Sequence, residues 1–173
     1  MANMNTATKY GNYSALITIS LILILHYSGV SAFWVKGASS LISSFTELLF
    51  IILAVYYTRE KEFAGYIDFK NAAKAGVTMV LVNAILVSFF IYIFYQFIDP
   101  LFMSRFLPEY EKWARLMGYK DEQIKIITAA LSNTTPISTA WSSFSWNIFV
   151  ETFIALVVAR VLRRNPPAEQ QPM

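Results

Sequence analysis

Long apolar stretches, separated by shorter polar segments, dominate the chain. Four of them approach the length that crosses a hydrocarbon core of about 30 Å at about 1.5 Å per helical residue. The pattern predicts transmembrane helices at about residues 13–30, 38–57, 76–98 and 137–162. We therefore expect an all-α fold: an integral membrane domain of residues 1–164 with four transmembrane helices.

Both ends of the chain carry segments that need not belong to this folded domain. The first apolar stretch follows Lys9 and precedes the small residues Val30-Ser31-Ala32, a pattern that signal peptides share. We expect it to be retained as a helix, with cleavage as the alternative. Residues 165–173 are polar and rich in proline, which predicts a disordered tail.

The outer connection between the third and fourth helices, residues 99–136, has helical periodicity of its own. Asp99-Pro100 should end the third helix because proline lacks a backbone N–H, and Pro108 suits the first turn of a new helix. The apolar residues of this helix recur at helical spacing and form an outer amphipathic face: Tyr110, Trp113 and Met117.

A second short helix should follow in the same connection. Gly118 can close the preceding helix in a left-handed cap, and Asp121 can cap the new one. Its apolar positions are Ile124, Ile127 and Leu131. We expect these two short amphipathic helices to form a lid over the helix ends, with a platform that docks a partner as the alternative.

Lysine and arginine positions set the expected orientation, since cytoplasmic loops of membrane proteins carry an excess of both. With the N-terminus inside, eight of them lie on the cytoplasmic side and six on the other. Five of those six lie in the outer connection, which has structure of its own and therefore counts for less. We expect both termini to be cytoplasmic.

The composition restricts the classes of function. Charged residues make up 14% of the chain, against about 25% in soluble domains. The net charge of +3 is small and spread over the ends of apolar runs, which does not suit nucleic-acid binding. The chain has no cysteine, one histidine (His26) and no recognisable catalytic or phosphate-binding motif. We expect no enzyme activity, no catalytic residue, no metal site and no cofactor.

Two glutamates lie where a charge is unfavourable, because a charged side chain at the bilayer centre costs about 2.5–3.5 kcal/mol on insertion scales. Glu47 and Glu151 are each about 15 Å from the cytoplasmic end of their predicted helices. Asn83 on the third helix and Thr18 on the first reach the same depth. Each predicted helix thus offers one polar group at one level.

Polar side chains lead up to both glutamates in steps of four residues, which places each series on one helix face. The two series are Ser39, Ser43 and Glu47 on the second helix, and Thr139, Ser143, Asn147 and Glu151 on the fourth. With Asn83, Asn147 and Thr18, the glutamates would form a proton or cation site, and carboxyl groups within about 6 Å would share a proton. The alternative, which the sequence alone favours, is that these groups hydrogen-bond between helices and hold the bundle together.

Several short segments resemble a known family in order and spacing. They are Tyr57-Thr58-Arg59-Glu60-Lys61-Glu62, Gly65-Tyr66-Ile67-Asp68-Phe69, Ala72-Ala73 with Gly76, Tyr92-Ile93-Phe94-Tyr95-Gln96-Phe97-Ile98-Asp99-Pro100, and Arg163-Arg164-Asn165-Pro166. Together they resemble the domain-of-unknown-function 4199 family, an uncharacterised four-helix membrane family of Bacteroidetes, over nearly the whole chain. The resemblance implies a bacterial inner-membrane protein with several membrane passes, and it implies no particular activity.

The loop within this resemblance has a physical interpretation. Gly65 separates two helical stretches, and the rings of Tyr66 and Phe69 suit the headgroup level. Lys70 and Lys74 can lie beside anionic phosphates. We expect these residues to anchor the helical hairpin at the lipid interface, with a lipid-specific site as the alternative.

These observations predict a structural or accessory subunit of a membrane complex. Its partners would be the lipid bilayer and either another protein or further copies of the chain, but no nucleic acid. The alternative is a small proton-coupled or ion-conducting transport component that uses Glu47 and Glu151. An intramembrane enzyme acting on lipid ranks last, because both carboxylates are expected to lie deep.

Overall fold

The computed structural model describes residues 6–165, and within that range the chain is helical apart from turns and one isolated backbone pairing. In chain order the helices are α1 (Thr6–Tyr27), α2 (Ala32–Glu62), α3 (Phe69–Ile93), α4 (Phe102–Leu116), α5 (Asp121–Ser132) and α6 (Pro136–Leu162). Helices α1, α2, α3 and α6 are long and apolar enough to cross a membrane. The all-α prediction, with two short helices between the third and fourth long ones, is confirmed. Of the tail predicted to be disordered, residues 166–173 lie outside the described range.

Three of the long helices begin earlier than their apolar stretches. Helix α1 starts at Thr6 and not near residue 13, and α3 starts at Phe69 and not near residue 76. Helix α2 extends beyond residues 38–57 at both ends. Polar and charged residues at these ends continue the backbone hydrogen bonding, whereas hydropathy marks only the apolar part of a helix. The bounds of α6 agree with the sequence because Pro136 occupies its first turn.

The third long helix ends at Asp99, where the sequence predicts its end. The last turn, Phe94–Ile98, widens into a π-helical turn, and the Asp99 backbone N–H donates to the Phe94 carbonyl at 2.8 Å. Pro100 then offers no N–H, so the helix ends there.

Two predictions about the short helices are wrong. Pro108 lies inside α4 and not in its first turn, because the helix already begins at Phe102. Asp121 is the first residue of α5 and not its cap. Lys120 holds the cap position, and its N–H donates to Gln123 Oε1 at 3.1 Å.

Helix α3 lies at the centre of the bundle, in contact with α1, α2 and α6. Glycines permit two close approaches. A Cβ on Gly11 would lie 2.8 Å from the Met79 carbonyl oxygen, and a Cβ on Gly76 would lie 3.0 Å from the Ala155 Cβ. Small residues at these positions let the backbones of α1 and α6 come close to α3.

Two apolar clusters divide the bundle along its length. One cluster lies at the end of the bundle where α1 begins and α6 ends. Most of the lysines and arginines of the long helices lie there too, so we call it the basic end. This cluster is built mainly from small residues, among them Ala54, Val55, Ala72, Ala75, Val80, Ala155, Val158 and Ala159. The other, at the connection end, is aromatic and includes Phe90, Phe94, Phe102 and Phe106. Among the described residues α6 contributes none to the second cluster, so α2 and α6 share a core only at the basic end.

Helix α4 covers the connection end of the bundle. Phe106 is buried, the Tyr110 ring lies 5.9 Å from it, and the Trp113 ring lies 5.6 Å from Phe33 of α2. Tyr110 and Trp113 of the predicted outer face are therefore half-buried, whereas Met117 is 60% exposed and lies outside these contacts.

Polar contacts fasten α4 to the long helices. Asp99 is buried beside the Arg105 guanidinium of α4, and its Oδ2 lies 3.6 Å from His26 Nδ1 of α1. The Phe33 backbone N–H at the start of α2 donates to Glu109 Oε2 at 2.9 Å. This bond satisfies one of the N–H groups that a helix start leaves without a partner. The lid is thus tied to both α1 and α2.

Candidate functional site

A layer of buried polar side chains separates the two apolar clusters. Thr18 of α1, Glu47 of α2, Asn83 of α3 and Glu151 of α6 are each less than a tenth exposed. The structure brings these residues of four different helices to one level. Asn147, one turn before Glu151, is half-buried and shares a cavity wall with Thr18 and Glu47.

Glu47 is tied to α3 by a hydrogen bond. The Asn83 side-chain N–H donates to Glu47 Oε1 at 3.2 Å. Asn83 is fully buried, and its side-chain oxygen accepts from no donor in the described part of the chain. The bond joins α2 to α3, as a role in holding the bundle together requires.

Glu151 of α6 lies beside Glu47. The two carboxyl groups lie within hydrogen-bonding reach of each other, and neither forms an ion pair with a basic side chain of residues 6–165. No donor in that range reaches the Glu151 oxygens. Two carboxylates can only accept, so a hydrogen bond between them needs a proton on one of them. The pair is therefore a place where the protein can hold a proton.

A cavity of about 260 Å³ extends inside the bundle from the connection end to Glu47. The two polar stripes seen in the sequence converge on it. Its walls include Ser39, Ser43 and Glu47 from α2, and Thr139, Ser143 and Asn147 from α6. Apolar and aromatic residues complete the walls, among them Val87, Phe90, Phe94, Tyr95 and Phe102. The cavity wall thus combines hydroxyl groups from α2 and α6 with aromatic side chains from the rest of the connection end.

The cavity reaches Glu47 but not Glu151. Glu47 is the last residue of α2 on its wall, and Asn147 is the last residue of α6, while Glu151 does not line it. At the other end the wall includes Lys36, about 16 Å from Glu47 along α2. The Lys36 ammonium lies 4.6 Å from the centre of the Phe106 ring. A molecule in the cavity therefore meets Glu47 first, with Glu151 behind it.

The entrance of the cavity lies on the flank of the bundle. Ser40 and Ser44 of α2 and Trp146 of α6 line the cavity and are exposed. They lie about 12–18 Å from the connection ends of their helices. At that end itself, α4 contributes the buried Phe102 to the wall. The cavity consequently opens sideways between α2 and α6.

The predicted interface residues lie at the basic end, far from this cavity. Ile67 and Arg164 exchange two backbone hydrogen bonds of 2.8 and 2.9 Å, which join the loop after α2 to the segment after α6. The Arg164 guanidinium lies 5.6 Å from the centre of the half-buried Tyr66 ring. The other proposed anchors are exposed: Phe69, Lys70 and Lys74. Their contact with lipid stays a prediction.

Sequence reasoning missed part of the site. Lys36 lies on the same face of α2 as the serine stripe, so the stripe itself could have been extended to it. Phe94 and Phe102 come from different helices, and no local pattern brings them together. The cluster around Asp99 is expected from the sequence only as a helix stop.

Comparison with known proteins places the chain in a family. The family described as "Protein of unknown function (DUF4199)" matches residues 9–164, a span that contains both glutamates and nearly all of the four long helices. Comparisons with the curated proteins and with the solved structures gave no match. The resemblance carried by the short segments is thereby confirmed, and the chain belongs to the DUF4199 family.

Proposed function

We propose that the chain crosses a bacterial inner membrane four times, through α1, α2, α3 and α6, with both termini in the cytoplasm. Large apolar side chains on the outside of these helices support membrane insertion, because in water they would form an extensive exposed apolar surface. The most exposed include Phe45, Phe89, Phe149 and Phe153. The lysines and arginines of the basic end support the orientation.

Within this membrane protein, Glu47 and Glu151 form the proton-binding site of a small proton-coupled transport component. The observation that carries the proposal is the contact of the two carboxyl groups where the cavity ends. Bonding between helices accounts for Glu47, which has Asn83 as a donor. It does not account for Glu151, whose oxygens have only Glu47 within reach among residues 6–165. Buried carboxyl groups in a membrane bundle commonly mark proton pathways.

A proton suits this site better than a metal ion. Residues 6–165 hold no group of three or more acidic or histidine side chains that could bind a metal. A proton that moves along water and hydroxyl groups needs no such ligand set.

The basic end of the bundle is closed in this conformation. Between the carboxyl pair and that end lie the small residues of the first cluster, with Gly76 against Ala155. Transport therefore requires a second conformation in which this packing opens. Separation of α6 from α2 at the basic end would open it, since the first cluster is where the two helices share a core.

Infrared spectroscopy of the purified protein in lipid tests the proton site directly. A protonated carboxyl group gives a C=O stretch that shifts when the sample is moved into D₂O. We expect such a band in the wild type near neutral pH, with rapid exchange because the cavity admits water to Glu47. The band should be lost or moved in Glu47→Gln and Glu151→Gln, and unchanged in Glu122→Gln, which alters an exposed glutamate of α5. A spectrum that neither pair variant alters would refute the proposal.

A structural or accessory subunit of a membrane complex is the second candidate. The hydrogen bond between Asn83 and Glu47 favours it, since such bonds hold helices together without any transport. Purification in a gentle detergent decides the matter: an accessory subunit should retain a partner in fixed ratio, and should still do so with both glutamates changed to glutamine. Both candidates give the carboxyl pair a binding or structural role and no catalytic one.

A further inference from the structure

The side entrance of the cavity determines which molecules can reach Glu47. Ser40, Ser44 and Trp146 form its exposed rim, and all three lie well inside their helices. Counted from the starts of the predicted spans 38–57 and 137–162, Ser44 and Trp146 lie about 9 and 14 Å deep, and Ser40 lies nearer the headgroups. In a bilayer most of this rim would therefore face the acyl chains of one leaflet. Because α4 covers the connection end, a ligand must partition into the membrane before it enters. Apolar or amphiphilic molecules meet that condition, whereas sugars and inorganic ions do not.

The interior of the cavity supplies two kinds of contact. Phe90, Phe94 and Val87 give an apolar wall, and Trp146 adds an aromatic side chain at the rim. At the deep end, Glu47 offers a carboxyl group, the Asn147 amide and the Thr18 hydroxyl lie on the same wall, and Thr18 is only 2% exposed. The Thr18 Oγ1 is itself buried and has no hydrogen-bond partner within the described residues. The site therefore fits a molecule with an apolar body and one polar, cationic end.

We propose that the cavity binds small amphiphilic amines or quaternary ammonium ions, with the cationic group at Glu47 and the apolar body against the aromatic wall. This inference rests on the proposed proton site and names the substrate class of that same site. A volume of about 260 Å³ is slightly below that of pockets for drug-sized ligands, about 300 Å³, and so admits a single ring with a small ammonium group. Aromatic faces such as that of Trp146 also attract organic cations.

The cation exchanges for a proton at the carboxyl pair. In the free state the pair holds a proton between Glu47 and Glu151. When the cation binds, one O–H bond breaks, the proton leaves through the cavity, and the ammonium group lies beside the carboxylate. One positive charge replaces another, so the net charge of the buried site does not change. That equality matters because an uncompensated charge in an apolar interior is strongly unfavourable.

Lys36 does not prevent this binding. It lies about 16 Å from Glu47 along α2, beside Phe106 under α4, whereas the entrance lies between it and the carboxyl pair. A cation that enters sideways past Ser44 and Trp146 therefore never passes the ammonium group. The positive charge of Lys36 repels cations at the connection end, so the entrance on the flank is the route for them.

Calorimetric titration of the full chain in detergent micelles with benzyltrimethylammonium tests the proposal. Repeating the titration in buffers of different ionisation enthalpy gives the number of protons released per cation bound. We expect about one proton released, and an affinity that falls about tenfold per pH unit below the range where the pair loses its proton. Glu47→Gln should bind at least tenfold more weakly and release none, while Glu122→Gln should match the wild type. Neopentylbenzene, the neutral compound of the same shape, should release no proton.

A second pair of variants tests the entrance. Ser44→Trp should slow binding at least tenfold, whereas Leu49→Trp, at an exposed α2 position outside the cavity wall, should not. Binding without proton release, equal binding by Glu47→Gln, or equal rates for both tryptophan variants would overturn the inference. If the infrared band shows an exchanging carboxyl pair but the wild type does not bind the probe, this inference fails and the proton site stands. If the band is insensitive to both glutamates, the proton site fails as well.

Discussion

Glu47 and Glu151 have the same side chain at the same level, but the protein supports them differently. Glu47 accepts from Asn83 and reaches the cavity. Glu151 does not line the cavity, and in the described part of the chain only the Glu47 carboxyl is within its reach. A buried acceptor without a donor is unfavourable, so a purely structural pair would be easier to build from apolar residues. A proton-binding role would explain why a glutamate occupies position 151.

Replacement of each glutamate by leucine measures how much each carboxyl group contributes to the stability of the fold. Glu151→Leu removes a carboxyl whose one partner among residues 6–165 is the Glu47 carboxyl, so we expect the free energy of unfolding to stay within about 1 kcal/mol of wild type or to rise. Glu47→Leu leaves the fully buried Asn83 without its acceptor and should lower it by about 1–3 kcal/mol. Thermal unfolding in the same detergent measures both. A larger loss for Glu151→Leu than for Glu47→Leu would show that Glu151 has a structural partner.

The depth of each site residue in the bundle could be predicted from the sequence, but the direction in which its side chain points could not. The helical rise is fixed, so counting residues brings Thr18, Glu47, Asn83 and Glu151 to one level. Which residues face a cavity depends on how each helix is rotated in the bundle, and several faces of these apolar helices look alike. No pattern of residues therefore distinguishes Asn147, which lines the cavity, from Glu151, which does not.

At the scale of the elements, hydropathy located all four long helices but misplaced the starts of three of them. A helix continues while its backbone hydrogen bonds continue, and the charged turns at the end of α2 do not interrupt them. The short helix α4 was misjudged for a different reason. Proline favours a first turn, but Phe102 and Phe106 gain burial against the long helices and extend α4 ahead of Pro108. Burial of these two phenylalanines outweighed the preference of proline for the first turn.

The substitution of glycine by alanine should have opposite effects on stability at Gly11 of α1 and Gly37 of α2. A Cβ on Gly11 would meet the Met79 carbonyl oxygen and the Val82 Cβ, each at 2.8 Å, so Gly11→Ala should push α1 away from α3. We expect it to lower the free energy of unfolding by about 1–3 kcal/mol. A Cβ on Gly37 of α2 would meet nothing within 4 Å, so Gly37→Ala should raise it by up to about 1 kcal/mol. Thermal unfolding of the two variants side by side checks this, and equal effects would contradict the close packing of α1 on α3.

At the scale of the whole molecule, the two halves of the bundle are built differently. The basic half packs small residues tightly and joins its loop to its C-terminal segment through Ile67 and Arg164. The connection half combines aromatic residues with a lid and leaves the cavity between α2 and α6. The polar layer lies where these halves meet. A molecule with one closed half and one accessible half, and a protonatable pair between them, has the arrangement that one state of a proton-coupled transporter requires.

That arrangement depends on all four long helices crossing the membrane, which site-directed labelling can test. The chain has no cysteine, so Lys61→Cys, Glu122→Cys and Asn165→Cys each introduce a single reactive thiol, and all three positions are exposed. With four crossings, a membrane-impermeant maleimide should label Lys61→Cys and Asn165→Cys from the cytoplasmic side and Glu122→Cys from the other. Labelling of Glu122→Cys and Asn165→Cys from one side would mean that α6 does not cross, and the carboxyl pair would then lose its place in the membrane. Labelling of all three from the sides opposite to those expected would keep the four crossings but reverse the protein, and the cavity would open toward the cytoplasmic leaflet.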